Sequence, residues 1–148
     1  MKTTIFNNLA KKISLGVFTL LIAFSLESYA QKTYFLTSSV VPAARGYVKV
    51  KQDKRDNKNY VIKIRIKDLA GIERMQPSKQ TFVVWMVTDR ELTKNIGRLN
   101  SSKKLNASFE TVSSFKPTKV FITAEEDESA QYPDDQVVLT TDKFWEDR

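Results

Sequence analysis

The chain of 148 residues contains no cysteine and no histidine, and it has only four glycines. Without cysteine it cannot form disulfides, carry a lipid on a lipobox cysteine or use a thiol nucleophile. Without histidine it lacks the commonest general base, and with both residues missing it lacks the usual ligands of transition metals. We therefore expect a protein that is not an enzyme, with no catalytic residue, no metal site and no cofactor.

The first 30 residues have the pattern of a cleaved signal peptide. Lysines near the start form a positive region, and a mostly apolar run follows over residues 13–26. This run is shorter than the ~20 residues that span a bilayer comfortably, which favours cleavage over an uncleaved anchor. We predict cleavage between Ala30 and Gln31, and we expect residues 31–148 to form one domain in a bacterial periplasm or outside the cell, with no transmembrane anchor.

The alternating pattern of β-strands dominates the remaining sequence. In GYVKVK (46–51) and YVIKIRIKD (60–68), apolar side chains alternate with basic ones, which predicts an antiparallel hairpin with one wet face. TFVVWMVTD (81–89) is apolar on both faces, which predicts a central strand covered on both sides. Further short strands are predicted at residues 34–37, 95–99, 105–110, 119–124 and 136–140. The pattern predicts an all-β fold with little helix, a β-sandwich of about seven or eight short antiparallel strands, Ig-like or related.

Two segments carry motifs of a known family. TFVVWMVTDRELTKNIGRL combines aromatic-x-x-Trp, a polar hairpin tip and Asn-x-Gly-x-Leu, and VFITAEEDESAQYPDDQVVL combines a Thr-x-Glu strand, a loop ending in Pro and a Val-rich strand. Together with VVPAARGYVKV and IKDLAG upstream, they resemble the extracytoplasmic C-terminal domain of anti-sigma-K factors over residues 41–141. The family's loop after the Glu is typically glycine-rich, whereas here it is acidic.

The resemblance implies a sensing or regulatory domain rather than a complete regulator. In that family a cytoplasmic sigma-binding domain and a membrane helix precede this domain, whereas a signal-peptide pattern precedes it here. We therefore expect the domain without the sequestration of a sigma factor in the cytoplasm.

The first candidate site is the acidic loop, which we define as residues 125–135. Its carboxylates are Glu125, Glu126, Asp127, Glu128, Asp134 and Asp135. The loop lacks the Asp-x-Asp-x-Asp-Gly frame of calcium loops, so a solvated turn is favoured over a calcium site or acid/base chemistry. Glu125 matches the Glu of the family motif, and we expect it to form local hydrogen bonds that brace the loop.

The second candidate site is a basic stripe on the outer face of the predicted hairpin. Its members are Lys49, Lys51, Lys63, Arg65 and Lys67. In a chain of net charge +7, such a stripe attracts anionic polymers or phosphorylated lipid headgroups, although lysine-rich faces also protect sheets from aggregation. Few aromatic residues other than Tyr47 accompany it, so we do not expect a nucleic acid partner. The acidic C-terminal part of the chain offers a third role, neutralisation within the fold or between copies.

Three hypotheses of function remain open at this point. The first is an exported, non-catalytic binding or sensor domain that contacts a protein or an envelope component. The second is a structural envelope protein whose edge strands self-associate, and the third is a hydrolase that uses carboxylates alone. For the two tryptophans, we predict that Trp85 lies in the core and that Trp145 docks the C-terminal segment or belongs to a tail.

Overall fold

The structure is a computed structural model that describes residues 30–53, 55, 58–101 and 105–145. The predicted signal peptide therefore lies outside the described residues, except for Ala30. The strands are β1 (Ala30–Tyr34), β2 (Arg45–Gln52), β3 (Tyr60–Lys67), β4 (Thr81–Thr88), β5 (Thr93–Arg98), β6 (Asn100–Ser101), β7 (Ala107–Ser113), β8 (Pro117–Glu125) and β9 (Val137–Thr140). Helical structure in this part of the chain is one 3-10 turn, Ile72–Arg74. The predicted all-β fold is confirmed.

Two antiparallel sheets form a β-sandwich. One sheet has the order β1-β2-β3-β7-β6, and the other has the order β5-β4-β8-β9. The predicted hairpin is the β2–β3 pair, in which Val48 lies opposite Ile64 and Val50 opposite Ile62. Among the described residues there is no helix of the length and apolarity needed to cross a membrane.

The alternation of apolar residues in the sequence builds the core between the sheets. Val48, Val50, Ile62 and Ile64 point inward from the five-stranded sheet and are fully buried. They pack in one cluster with residues of the other sheet, such as Ile122. Burial of each such side chain stabilises the fold by roughly 1.5–3 kcal/mol, so this pattern fixes which face of each sheet is left outside.

Two strands pass from one sheet to the other and so connect the sides of the sandwich. After β1, the backbone N–H of Leu36 donates to the carbonyl of Thr140 at 2.9 Å, which joins the segment to β9. On the opposite side, Leu99 donates to Phe82 of β4, and Asn100 then pairs with Ser108 of β7. The sandwich is therefore partly closed like a barrel.

The strand boundaries differ from the prediction at these crossing points. The segment from Asn100 was predicted as a turn, but Asn100–Ser101 forms β6. The early strand was predicted at residues 34–37, whereas β1 is Ala30–Tyr34 and only an isolated bridge at Phe35 follows it. Strand β7 also runs to Ser113, past the predicted end. The strand boundaries at these points depend on pairing with strands that are distant in the sequence. The local alternation of apolar and polar residues therefore does not predict them.

Candidate functional site

The predicted basic stripe lies on the outer face of the five-stranded sheet, and the structure enlarges it. Lys49, Lys51, Lys63, Arg65 and Lys67 all point outward, because they alternate with the inward apolar residues of β2 and β3. Two more cations share this face, since Lys32 of β1 pairs with Lys49, and Arg45 pairs with Lys67. We call the seven residues the basic face.

The basic face is ordered in rows that run across the strands. One row is Lys32, Lys49, Lys63 and Glu110, each directly opposite the next on the neighbouring strand. Neighbouring strands lie about 4.8 Å apart, so Lys49 has a lysine on either side at short range. Like charges directly opposite each other destabilise a sheet, and a bound anion relieves this repulsion.

Few acidic groups neutralise the basic face. Lys63 Nζ lies 3.9 Å from Glu110 Oε1, a long ion pair between two half-exposed side chains. The other ion pairs within the described ranges involve Lys79 and Arg98, so Lys49, Lys51 and Lys67 have no carboxylate partner there. The face therefore keeps most of its positive charge available to a partner.

An open depression of about 530 Å³ lies on the same face at the end of the β2–β3 hairpin. Four of its lining residues are basic and two are acidic; the lining is formed by Lys49, Lys51, Gln52, Asp53, Arg55, Val61, Lys63 and Glu110. A depression of this kind offers several ammonium and guanidinium donors to one anionic group, which is the chemistry that holds a carboxylate, sulfate or phosphate.

Two tyrosines stand at one corner of the basic face. Tyr34 of β1 lies opposite Tyr47 of β2, and their ring centroids are 6.3 Å apart at an angle of 69°. The ammonium of Lys32 lies 4.2 Å from the centroid of Tyr47. Of the two tyrosines, the alternation of the sequence predicts only Tyr47 on this face, because the outward position of Tyr34 depends on the pairing of β1 with β2.

The acidic loop lies on the other side of the sandwich, over the outer face of the four-stranded sheet. Trp85 of β4 alternates with the core residues Val84 and Met86 and so points away from the core, yet its exposed fraction is 0%. Asn95 of β5 pairs with Trp85, and its side-chain amide donates to the carbonyls of Glu128 at 2.8 Å and Ala130 at 3.0 Å. These hydrogen bonds hold the acidic loop next to Trp85. Trp85 is buried, as predicted, but in this second apolar layer.

A buried chain of hydrogen bonds connects Trp85 to the acidic loop. Trp85 Nε1–H donates to the hydroxyl of Thr123 at 2.8 Å, and that hydroxyl donates to Glu125 Oε1. The same carboxylate oxygen accepts the backbone N–H of Asp134 at 2.7 Å, which ties the end of the loop to its start. Glu125 is only 7% exposed. The expectation that Glu125 braces the loop is confirmed.

Ion pairs fasten the acidic loop from outside. Lys79 Nζ lies 3.1 Å from Asp134 Oδ2 and 3.5 Å from Glu126 Oε1, and its side chain is only 13% exposed. Arg98 of β5 pairs with Glu128 at 3.2 Å. The loop is therefore more than a solvated turn, because its backbone and some of its carboxylates cover and brace the sheet, while Glu126 and Glu128 keep most of their surface in water.

The bonds within the acidic loop shift three pKa values. The backbone N–H of Gln136 and the ammonium of Lys79 hold the pKa of Asp134 below its ordinary value of 3.8. The backbone N–H and hydroxyl of Ser129 lower the pKa of Asp127 in the same way. In return, the hydrogen bond to Asp134 raises the pKa of Lys79 above 10.5. Each shift favours the charged form that fastens or shapes the loop.

The carboxylates of the acidic loop are not arranged as a metal site. Among the described residues, no group of three or more acidic side chains is placed so that it could hold a metal ion. Glu125 and Asp134, the two carboxylates that are least exposed to a solute, already accept hydrogen bonds from the protein. The arrangement indicates a structural part for the loop.

Four of the motif residues meet in this second layer, whereas Gly97 faces Phe109 of the five-stranded sheet. Trp85, Thr123 and Glu125 form the buried chain, and Asn95 holds the loop. Gly97 has φ +136, and an added Cβ would lie 2.9 Å from the ring of Phe109, so a glycine is needed there. Trp145 donates its indole N–H to the carbonyl of Pro117 at 2.9 Å, which confirms that it docks the C-terminal segment. These residues therefore have structural roles.

Comparison of the chain with protein-family models, with curated proteins and with solved structures gives no match.

Proposed function

We propose that this chain is an exported, non-catalytic β-sandwich that binds an anionic component of the bacterial envelope through its basic face. The observation that carries the proposal is the row of lysines across β1, β2 and β3, in which Lys49 stands between Lys32 and Lys63. This arrangement costs stability in the free protein and is relieved by a bound anion. The motif resemblance supports a role in extracytoplasmic regulation, as in the sensing domain of an anti-sigma factor.

The electrostatics of the two faces support an anionic partner over a cationic or apolar one. The basic face attracts polyanions over distances of about one Debye length, roughly 8 Å at physiological salt. The acidic loop lies over the other sheet, where its charges do not cancel the lysines locally. A polyanion is therefore drawn to one side of the molecule.

Binding to immobilised heparin tests the proposal. We expect the purified protein to bind with an affinity that falls steeply as salt rises, because each phosphate, sulfate or carboxylate contact releases counterions. The double variant Lys49→Glu/Lys51→Glu should weaken binding at least about tenfold, since a surface cation contributes roughly 1 kcal/mol near an anionic surface.

A matched double variant controls for the change in net charge. Lys119→Glu/Lys143→Glu alters the charge equally, but Lys119 lies on β8 of the other sheet and Lys143 in the C-terminal segment after β9. It should keep most of the heparin affinity. Equal losses in both double variants would show that net charge alone governs binding and that the basic face is not the site.

A further inference from the structure

The tyrosine corner of the basic face combines an exposed aromatic ring with a held ammonium group. Tyr34 is 63% exposed, although it lies on a strand and forms a T-shaped contact with Tyr47. Lys32 Nζ lies 4.2 Å from the centroid of Tyr47 and 5.5 Å from that of Tyr34. The cation–π contacts hold the ammonium beside the rings and keep it available to an anion.

This corner continues directly into the charged rows. Lys32 lies opposite Lys49, and Tyr47 lies opposite Arg65. Along each strand, the next outward residue follows after about 7 Å. If one ring of a linear polymer lies on Tyr34, the following units of the polymer therefore lie near cations that are regularly spaced on the neighbouring strands.

We infer that the anionic component is an acidic polysaccharide, with one sugar ring stacked on Tyr34 and its acidic group beside Lys32. This inference rests on the proposed function and names the class of the ligand. The polarised C–H groups of a sugar ring are attracted to the negative face of a tyrosine, as other partial positive charges are. The following acidic groups of the polymer lie along Lys49 and Lys63.

The geometry of the corner favours sugar rings over nucleobases. Proteins that bind single-stranded nucleic acid stack successive bases on several open aromatic faces. Here the two rings are inclined by 69°, and the ammonium of Lys32 lies over both of them, so they do not present a series of open parallel faces to successive bases.

Two polymers that differ in their sugar rings test the inference. Polygalacturonate and poly(L-glutamate) each carry one carboxylate per residue, so at equal length they present similar charge. We expect wild-type protein to bind polygalacturonate more tightly at equal salt. Tyr34→Ala should weaken that binding roughly three- to tenfold and change poly(L-glutamate) binding by less than about twofold.

The acidic loop supplies the control variant. Tyr132 is 86% exposed on the other side of the molecule, so Tyr132→Ala removes an exposed ring without touching the basic face. It should leave both affinities unchanged. A single-stranded DNA oligonucleotide of equal charge serves as the third ligand, and we expect it to bind no more tightly than poly(L-glutamate).

The outcomes separate this inference from the proposed function. If Lys49→Glu/Lys51→Glu weakens polygalacturonate binding but Tyr34→Ala does not, the basic face binds anions and the sugar contact is refuted. A loss of DNA affinity in Tyr34→Ala, with DNA the tightest ligand, would identify a nucleobase platform instead. If neither variant changes any affinity, the proposed function itself fails.

Discussion

At the scale of single residues, Trp85 shows how a side chain on the outer face of a sheet becomes core. Its ring stacks on Phe121 of β8 with 14° between the planes, and its indole N–H is bonded to Thr123. No part of the side chain is exposed. Its burial depends on the acidic loop, so the residue reports on both the sheet and the loop.

We expect Trp85→Ala to lower the free energy of unfolding by about 3–5 kcal/mol, the usual cost of deleting a large buried aromatic residue. Trp85→Phe should cost less than Trp85→Ala, because it keeps a ring against Phe121, although it loses the bond to Thr123 and part of the buried volume. Urea unfolding followed by circular dichroism measures both values. An unchanged midpoint for Trp85→Ala would mean that the loop does not cover this face.

Lys49, in contrast, lowers the stability of the fold, because it lies between two other lysines. We expect Lys49→Glu to raise the free energy of unfolding by about 0.2–1 kcal/mol, because it replaces repulsion by attraction toward Lys32 and Lys63. The same variant should bind heparin more weakly. Unfolding in urea at low salt measures the gain, with Lys143→Glu as the control of equal charge change. A loss of stability relative to this control would contradict the argument.

Among the structural elements, the acidic loop covers part of the outer face of the four-stranded sheet. Its two ends are joined through Glu125 and Asp134, and its middle is held by Asn95. These contacts keep water from Trp85 while the outermost carboxylates stay solvated. The loop is thus held to the sheet by hydrogen bonds of its backbone and of Glu125, and it presents charged side chains to water.

The shifted pKa values predict how the stability contributed by the acidic loop depends on pH. The pKa of Asp134 is lowered, so its contribution to stability is complete above 3.8 and is lost as the pH falls through the lower folded value. The pKa of Lys79 is raised, so its contribution is complete below 10.5 and is lost as the pH rises through the higher folded value. We expect a plateau between these limits and a decline on both sides.

The variant Asp134→Asn tests the acidic limb. It should be less stable than wild type at neutral pH, and this difference should persist down to about pH 3.8 and shrink as the pH falls further, through the lowered folded pKa of Asp134. Asp135→Asn, next in the chain and exposed, keeps the bond to Lys79 and should follow wild type throughout. A difference between Asp134→Asn and wild type that stays constant with pH would refute this role.

The strands also show which features of the fold can be predicted from the sequence. The alternation of β2 and β3 predicts their pairing and their wet face, because the side-chain period of a strand is a local property. The two-faced apolar pattern of β4 predicts a cover on both sides. It does not identify the acidic loop as that cover, since the contact of Asn95 with Glu128 joins residues 33 positions apart. Tyr34 was missed for a similar reason, because its face follows from pairing with Tyr47.

At the scale of the whole molecule, charge is distributed by face. The lysine rows cover the outer side of one sheet, and the acidic loop covers the outer side of the other. Two packed sheets lie about 10 Å apart, so each charged surface is separated from the other by the apolar core. A polyanion therefore meets an oriented molecule whose acidic side faces away from it, which opposes binding through the wrong side.

The edge strands of the two sheets are relevant to the alternative function, a structural protein that associates through its edges. Exposed edges template pairing with another chain, and proteins protect them by shortening, bending or covering them. Here β6 has two residues, β9 is met by Leu36 at Thr140, and the register of β5 shifts opposite Val84 and Trp85. These features shorten or interrupt three of the four edges among the described strands, whereas β1 keeps a regular edge of five residues.

We therefore expect a monomer at physiological salt. Sedimentation equilibrium at increasing protein concentration measures this, and a second series at low salt reveals any contact between the basic face of one copy and the acidic loop of another. Such a charge contact weakens as salt rises, because the Debye length falls to about 3 Å at 1 M. Strand pairing behaves differently, since it depends on backbone hydrogen bonds and persists in salt. A dimer that is stable at high salt would favour edge association, and the Lys49→Glu/Lys51→Glu variant would then dimerise like wild type.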